Sequence, residues 1–198
     1  MTIPQVERWA IADPELEWAA LDAEAKRERI LCAAGKVFAG EGLDAPMPAV
    51  AAAAGAGVAS VYRRFSSKHD LLAALVTRRL QQITDAARAA AASEGDRWSA
   101  LTQMLWTIVE RDWADDFLGE ARMLVIDHPD VIAATNRATG ALERLMADAR
   151  AEGRLRSDAT TLDLRLLFAA TRAAKQVEPE ASRRMLALLI DALDTQRA

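Results

Sequence analysis

Apolar residues recur every three to four positions along the chain, and glycine or proline interrupts them at intervals. That rhythm predicts helices throughout. From Glu24 to Ala39 the stripe is Ile30, Ala33, Ala34, Val37 and Phe38, with Gly40 and Gly42 expected to stop the helix. Pro46 and Pro48 suit the start of a second, short helix, because the first N–H groups of a helix have no internal partner. This helix is expected to reach about Ala54, with Val50 as its inward anchor. Gly55-Ala56-Gly57 reads as a turn whose glycines serve a tight bend and close helix approach. Val58 to Phe65 is a third helix, with Val61 and Phe65 four apart and facing in. Ser66 or Ser67 can cap a fourth helix. Its stripe is Leu71, Leu72, Leu75, Val76, Leu80 and Ile83, and alanines carry it toward Ala92.

Gly95 ends that helix, and Trp98, Leu101, Met104, Leu105, Ile108 and Val109 form the next stripe. Phe117 to Ile126 is expected to be a short helix. Pro129 opens another, with Val131, Ala138, Leu142, Leu145 and Ala149 inward and Gly153 at its end. Thr160 with Asp163 resembles a capping box ahead of Leu164, Leu167, Phe168 and Ala174. Pro179 opens the last helix. Its apolar residues Met185, Leu186, Leu188, Leu189, Ile190 and Leu193 span an arc wide enough for burial on two sides. One side is the protomer's own core. Met185, Leu186, Leu189, Ile190 and Leu193 are the candidate seam with a second copy, the alternative being a helix buried in one larger core. The total is about nine helices and no strand, an all-α chain.

The segment from Ile30 to Lys68 has the layout of a helix-turn-helix, in which a short second helix is offered to the DNA major groove. The expected organisation is an N-terminal arm at 1–22, a three-helix DNA-binding domain at 23–68, and a larger helical domain at 69–198 that carries the candidate seam with a second copy. The acidic arm carries Trp9 and Trp18, two large apolar side chains able to dock on the body. Formal net charge is −4, which alone does not suggest a nucleic-acid partner. The distribution changes that picture. Residues 24–68 hold seven basic side chains (Lys26, Arg27, Arg29, Lys36, Arg63, Arg64, Lys68) against four acidic ones, while the flanking sections are net acidic. Local charge is what phosphates meet.

Alanine dominates a composition that is 52% hydrophobic, and alanine is the strongest helix former. Cys32 is the only cysteine, so no internal disulfide can form. No cationic-then-apolar leader and no run of about 18 apolar residues is seen, so a cytoplasmic chain without a membrane partner is expected. Asp127-His128-Pro129 reads as a helix start, and Cys32, His69 and His128 lack metal-ligand spacing. Neither a phosphate-cradling glycine loop nor a nucleophile elbow occurs. No catalytic residue, metal or cofactor is therefore expected.

From Ile30 to Val76 the sequence resembles the TetR family of bacterial transcriptional repressors without a gap. The residues that carry the resemblance are Ala33-Ala34, Val37-Phe38, Gly42-Leu43-Asp44-Ala45, Val50-Ala51, Ala54-Gly55, Val61-Tyr62-Arg63-Arg64-Phe65 and Ser67-Lys68. The run Ala151 to Asp158 is similar to a segment between two helices of many members. Pro46 and Met47 stand where a Thr or Ser often caps the second helix, and Gly57 and Val58 replace a frequent Ser and Lys.

The resemblance implies a ligand-responsive repressor that binds a palindromic double-stranded operator as a homodimer. The alternative is a helical small-molecule-binding module without DNA binding. Val58, Ala59, Ser60, Tyr62, Arg63, Arg64 and Lys68 are the candidate DNA contacts. Arginine can grip guanine O6 and N7 or clamp phosphate, whereas a solvated helix end is the plainer reading of Arg63 and Arg64. By the resemblance, Tyr62 and Lys68 reach phosphate. Met104, Trp106, Trp113, Phe117, Met123 and Phe168 are candidates to line a pocket for a largely apolar effector, with Arg172, Asp112 or Asn136 to orient it. For each apolar residue singly, core packing is the competing reading.

Overall fold

A computed structural model describes residues 17–112, 117–178 and 180–196. After a single 3-10 turn at Trp18–Ala20, nine α-helices follow among the described residues: α1 Ala23–Glu41, α2 Met47–Ala53, α3 Val58–Tyr62, α4 Lys68–Ala92, α5 Arg97–Asp112, α6 Phe117–Leu124, α7 Pro129–Ala151, α8 Thr161–Val177 and α9 Ala181–Leu193. There is no strand among these residues, only an isolated antiparallel bridge between Leu155 and Asp194. The all-α expectation holds. No helix of the described residues is long and apolar enough to cross a membrane.

The chain divides into two compact units, Met1–Arg78 with Ala114–Ile132 and Arg79–Trp113 with Ala133–Ala198. The first unit therefore holds α6 as well as the helix-turn-helix. Its core is the set that the stripe of α1 announces: Ile30, Ala33, Ala34, Val37 and Phe38 are all buried, as are Val50, Val61, Phe65, Leu71, Leu72 and Leu75. Asp22 caps α1 by accepting from the Ala25 N–H at 2.8 Å. The helix runs through Gly40 and stops at Gly42, whose φ of 80° only glycine adopts freely.

The second unit is built on Trp98, Leu101, Leu105, Leu142, Leu145, Met146, Leu155, Leu164, Leu167 and Leu186. Gly95 (φ 100°) and Gly153 (φ 74°) end α4 and α7 as their positions predict. Asp163 accepts from the Thr160 backbone N–H at 2.7 Å at the start of α8, the reciprocal half of the expected capping box. Three corrections concern element ends. Helix α3 stops at Tyr62, three residues short of the expected Phe65, its end tightening into a turn in which the Arg64 N–H donates to the Val61 carbonyl at 3.0 Å. Helix α6 finishes at Leu124, two residues earlier than expected, and α9 begins at Ala181; Pro179 lies outside the described residues.

Candidate nucleic-acid interface

The site is made by a short helix held from behind. The turn before it is a Schellman motif: the Ala56 N–H donates to the Ala51 carbonyl at 2.9 Å and the Gly55 N–H to the Ala52 carbonyl at 3.1 Å. Gly55 sits at φ 64°, a left-handed conformation that side chains with a Cβ resist. Gly57 differs from the expectation. Its φ is −68° and an added Cβ would meet nothing within 4 Å, so neither backbone strain nor close approach demands glycine there. It stands instead at the N-cap of α3, with no side chain to satisfy the first amides.

Five helical residues cannot hold themselves together in water, so α3 depends on its inner face. Val61 is fully buried and Phe65 nearly so, which fixes the helix rotation. The opposite face is then turned to solvent: Val58 (40% exposed), Ala59, Tyr62 (45% exposed) and Arg63. Ser60 and Arg64 are half-buried. The Arg63 guanidinium donates to the Ser60 hydroxyl at 2.7 Å, one turn back on the same face, and Arg64 donates to the Ser60 carbonyl at 3.3 Å. Ser60 thus anchors both arginines near the end of α3.

Behind this face, Ser67 rather than Ser66 caps α4, its hydroxyl accepting the Asp70 N–H at 3.1 Å. Lys68 is half-buried, with its ammonium 5.6 Å from the Phe38 ring centroid. The structure adds a neighbour to the sequence-derived set. The ring of Trp18 lies near two cations, 5.4 Å from the Arg64 guanidinium and 5.9 Å from the Lys26 ammonium. Its pairing with Arg64 crosses from the arm to the turn that follows α3, and a tryptophan in an acidic arm was its only trace in sequence. Trp9 lies outside the described residues.

The remaining candidates separate. Met104 is buried in the second unit's core, and Trp106 and Phe168 pack half-buried against it. Arg172 is half-buried on α8 and Asn136 is exposed on α7. Phe117 and Met123 belong to the first unit, the Phe117 ring 6.1 Å from that of Phe38 and Met123 69% exposed. Helix α6 supplies both, and its apolar face serves the first unit. Trp113 and the Asp112 side chain lie outside the described residues. On α9, Leu186 and Ile190 are buried in the protomer's own core, Met185, Leu189 and Leu193 are half-buried, and Leu188 is 54% exposed. The outward side of α9 is thus marked by Leu188, a residue outside the five expected at the seam.

Residues 30–75 match the family described as bacterial regulatory proteins, tetR family. No curated protein matches the chain. Among solved structures, the TetR transcription regulatory protein from Mycobacterium vanbaalenii is 30% identical over 86% of this chain and 95% of its own, with a TM-score of 0.61. A TetR transcriptional regulator from Streptomyces coelicolor is 27% identical over 85% of this chain and 98% of its own, with a TM-score of 0.64. One from Thermus thermophilus, at 20% identity, covers 83% of this chain and 97% of its own with a TM-score of 0.63, a likeness of fold alone. With the helix-turn-helix matched to the family pattern and a relative 30% identical along nearly its whole length, the chain belongs to the TetR family of bacterial transcriptional regulators.

Proposed function

We propose that the protein is a ligand-responsive repressor that binds a palindromic operator as a homodimer. The observation that carries the DNA reading is the outward face of α3, where Val58, Ala59, Tyr62 and Arg63 stand free of the core while Val61 and Phe65 hold the helix from behind. Arg63 is the principal base reader, pre-oriented by the Ser60 hydroxyl. Tyr62, Arg64 and Lys68 serve phosphate, and Val58 and Ala59 offer apolar contact to thymine methyls.

Dimerisation is proposed through α8 and α9, which pack on each other. Support comes from the apolar residues that the protomer leaves outside: Leu162 and Leu166 are 55% and 58% exposed on α8, one turn apart, and Leu188 is exposed on α9. Alanines 169 and 173 continue the α8 row at spacings of three and four, and both are exposed. Met185, Leu189 and Leu193 flank the seam, and Leu186 and Ile190 support it from the core. The effector is assigned to the second unit near Met104, Trp106 and Phe168, with Arg172 as its polar partner. Its binding favours protomers whose α3 helices no longer match the half-site spacing, an effect of differential affinity for two states.

The test is selection of bound duplexes from a random pool. The bound pool should converge on an inverted repeat whose half-sites lie about 10 base pairs, or a multiple, apart. Affinity should fall steeply with salt as phosphate contacts displace counterions. A pool that never converges, from a protein that still binds small apolar molecules, would favour the helical binding module instead.

A further inference from the structure

Two histidines far apart in sequence meet in the first unit. His69, in the first turn of α4, and His128, just before α7, have ring centroids 5.7 Å apart. Asp70 joins them: its carboxylate lies 3.7 Å from His128 Nε2. One donor atom from each of His69, Asp70 and His128 lies within 4.8 Å of the other two. Asp127 stands beside the group, 4.0 Å from His69 Nε2. Linear spacing hid this set, because the α6–α7 corner brings His128 back to the start of α4.

We propose that His69, Asp70 and His128 form a binding site for a divalent transition-metal ion of the zinc class. Two imidazoles and a carboxylate are the donor set that Zn2+, Co2+ or Ni2+ prefers over Mg2+ or Ca2+, which take oxygen ligands. The surroundings fit the chemistry. His69 Nε2 lies 3.2 Å from the Leu124 carbonyl, and donating there leaves Nδ1 unprotonated, the outer-sphere arrangement usual for a metal-bound imidazole. The Ser66 hydroxyl donates to the Asp70 carboxylate and orients it. Asp70 and His128 also line an open groove, which gives an ion entry. His128 must adjust. Its Nδ1 now accepts the Asp130 N–H at 3.2 Å, so coordination through Nε2 moves the ring proton to Nδ1 and releases that amide to water at the exposed start of α7. Filled, the site ties the first turn of α4 to the α6–α7 corner.

The experiment is calorimetric titration of the tag-free full chain with ZnCl2, with MgCl2 as control and Co2+ absorption as a second readout. One Zn2+ per protomer is expected, together with a rise in Tm that Mg2+ does not give. His69→Ala, His128→Ala and Asp70→Asn should each weaken binding by about 10- to 100-fold or more, while Cys32→Ser leaves it unchanged. Circular dichroism of each variant separates lost ligation from lost folding, and Asp70→Asn keeps the shape of the side chain it replaces. Absence of Zn2+ binding to the wild-type chain, or undiminished binding by the folded variants, would overturn the proposal.

Discussion

Gly55 and Gly57 flank the turn that presents α3, and the structure gives them opposite roles that substitution can separate. At Gly55 an alanine Cβ would meet nothing within 4 Å, so crowding contributes no cost. What remains is the left-handed backbone at φ 64°, which costs a residue with a Cβ about 1–2 kcal/mol. Alanine also restricts the unfolded chain, which returns about 0.4–1 kcal/mol. Gly55→Ala should therefore lose roughly 1 kcal/mol, a fall in Tm of about 2–4 °C for a chain of this size. Gly57 sits at φ −68° in open space at the N-cap of α3. Serine there keeps the backbone, offers its hydroxyl to the Ala59 or Ser60 amide, and restricts the unfolded chain. Gly57→Ser should gain about 0.5–1 kcal/mol. Scanning calorimetry on both variants reads the two signs directly. A neutral Gly55→Ala or a destabilising Gly57→Ser would refute the turn geometry from which the α3 face is argued.

Three further outcomes follow from the packing. Leu188→Glu places a charge where the protomer alone tolerates one, so it should leave helicity intact and convert a dimer to monomers in sedimentation; a variant that still sediments as a dimer moves the seam elsewhere. Phe117→Ala should cost about 3–5 kcal/mol, as for other buried phenylalanines, yet leave small-molecule binding by the second unit unchanged; an effector affinity lost with stability retained would return Phe117 to the pocket. The Asp163 carboxyl is held below its ordinary 3.8 by hydrogen bonds from Thr160. A depressed carboxylate stabilises the fold above its unfolded value and loses that contribution as pH falls through its folded value. The Tm advantage of the wild type over Asp163→Asn should accordingly shrink below about pH 4, and a constant difference from pH 7 to pH 2 would rule out that linkage.

Local features were legible in the sequence because their causes are local. The i, i+3, i+4 stripes of α1 and α4, the stops at Gly42, Gly95 and Gly153, and the Thr160–Asp163 pair all depend on neighbours within a turn. The orientation of α3 was legible for the same reason, since Val61 and Phe65 define its inner side. What periodicity cannot say is which body an apolar face covers. Phe117 and Met104 read alike along the chain, but one packs its ring at a tilt against Phe38 and the other enters the second core. On α9 the wide arc gave no means of telling Leu186, which is buried within the protomer, from Leu188, which is not. Gly57 looked like Gly55 because composition does not reveal φ. The meeting of His69 with His128, and of Trp18 with Arg64, is tertiary and left no spacing to read.

The most direct test compares sequence selection and equilibrium binding for the wild type and Arg63→Ala. Arg63 is exposed, aimed by Ser60 and required by nothing in the core. Its loss should weaken operator binding by about 1–3 kcal/mol, roughly 5- to 150-fold, and relax the preference at one symmetric pair of base positions. Unchanged affinity together with an unchanged selected sequence would contradict the claim that the outward face of α3 reads DNA.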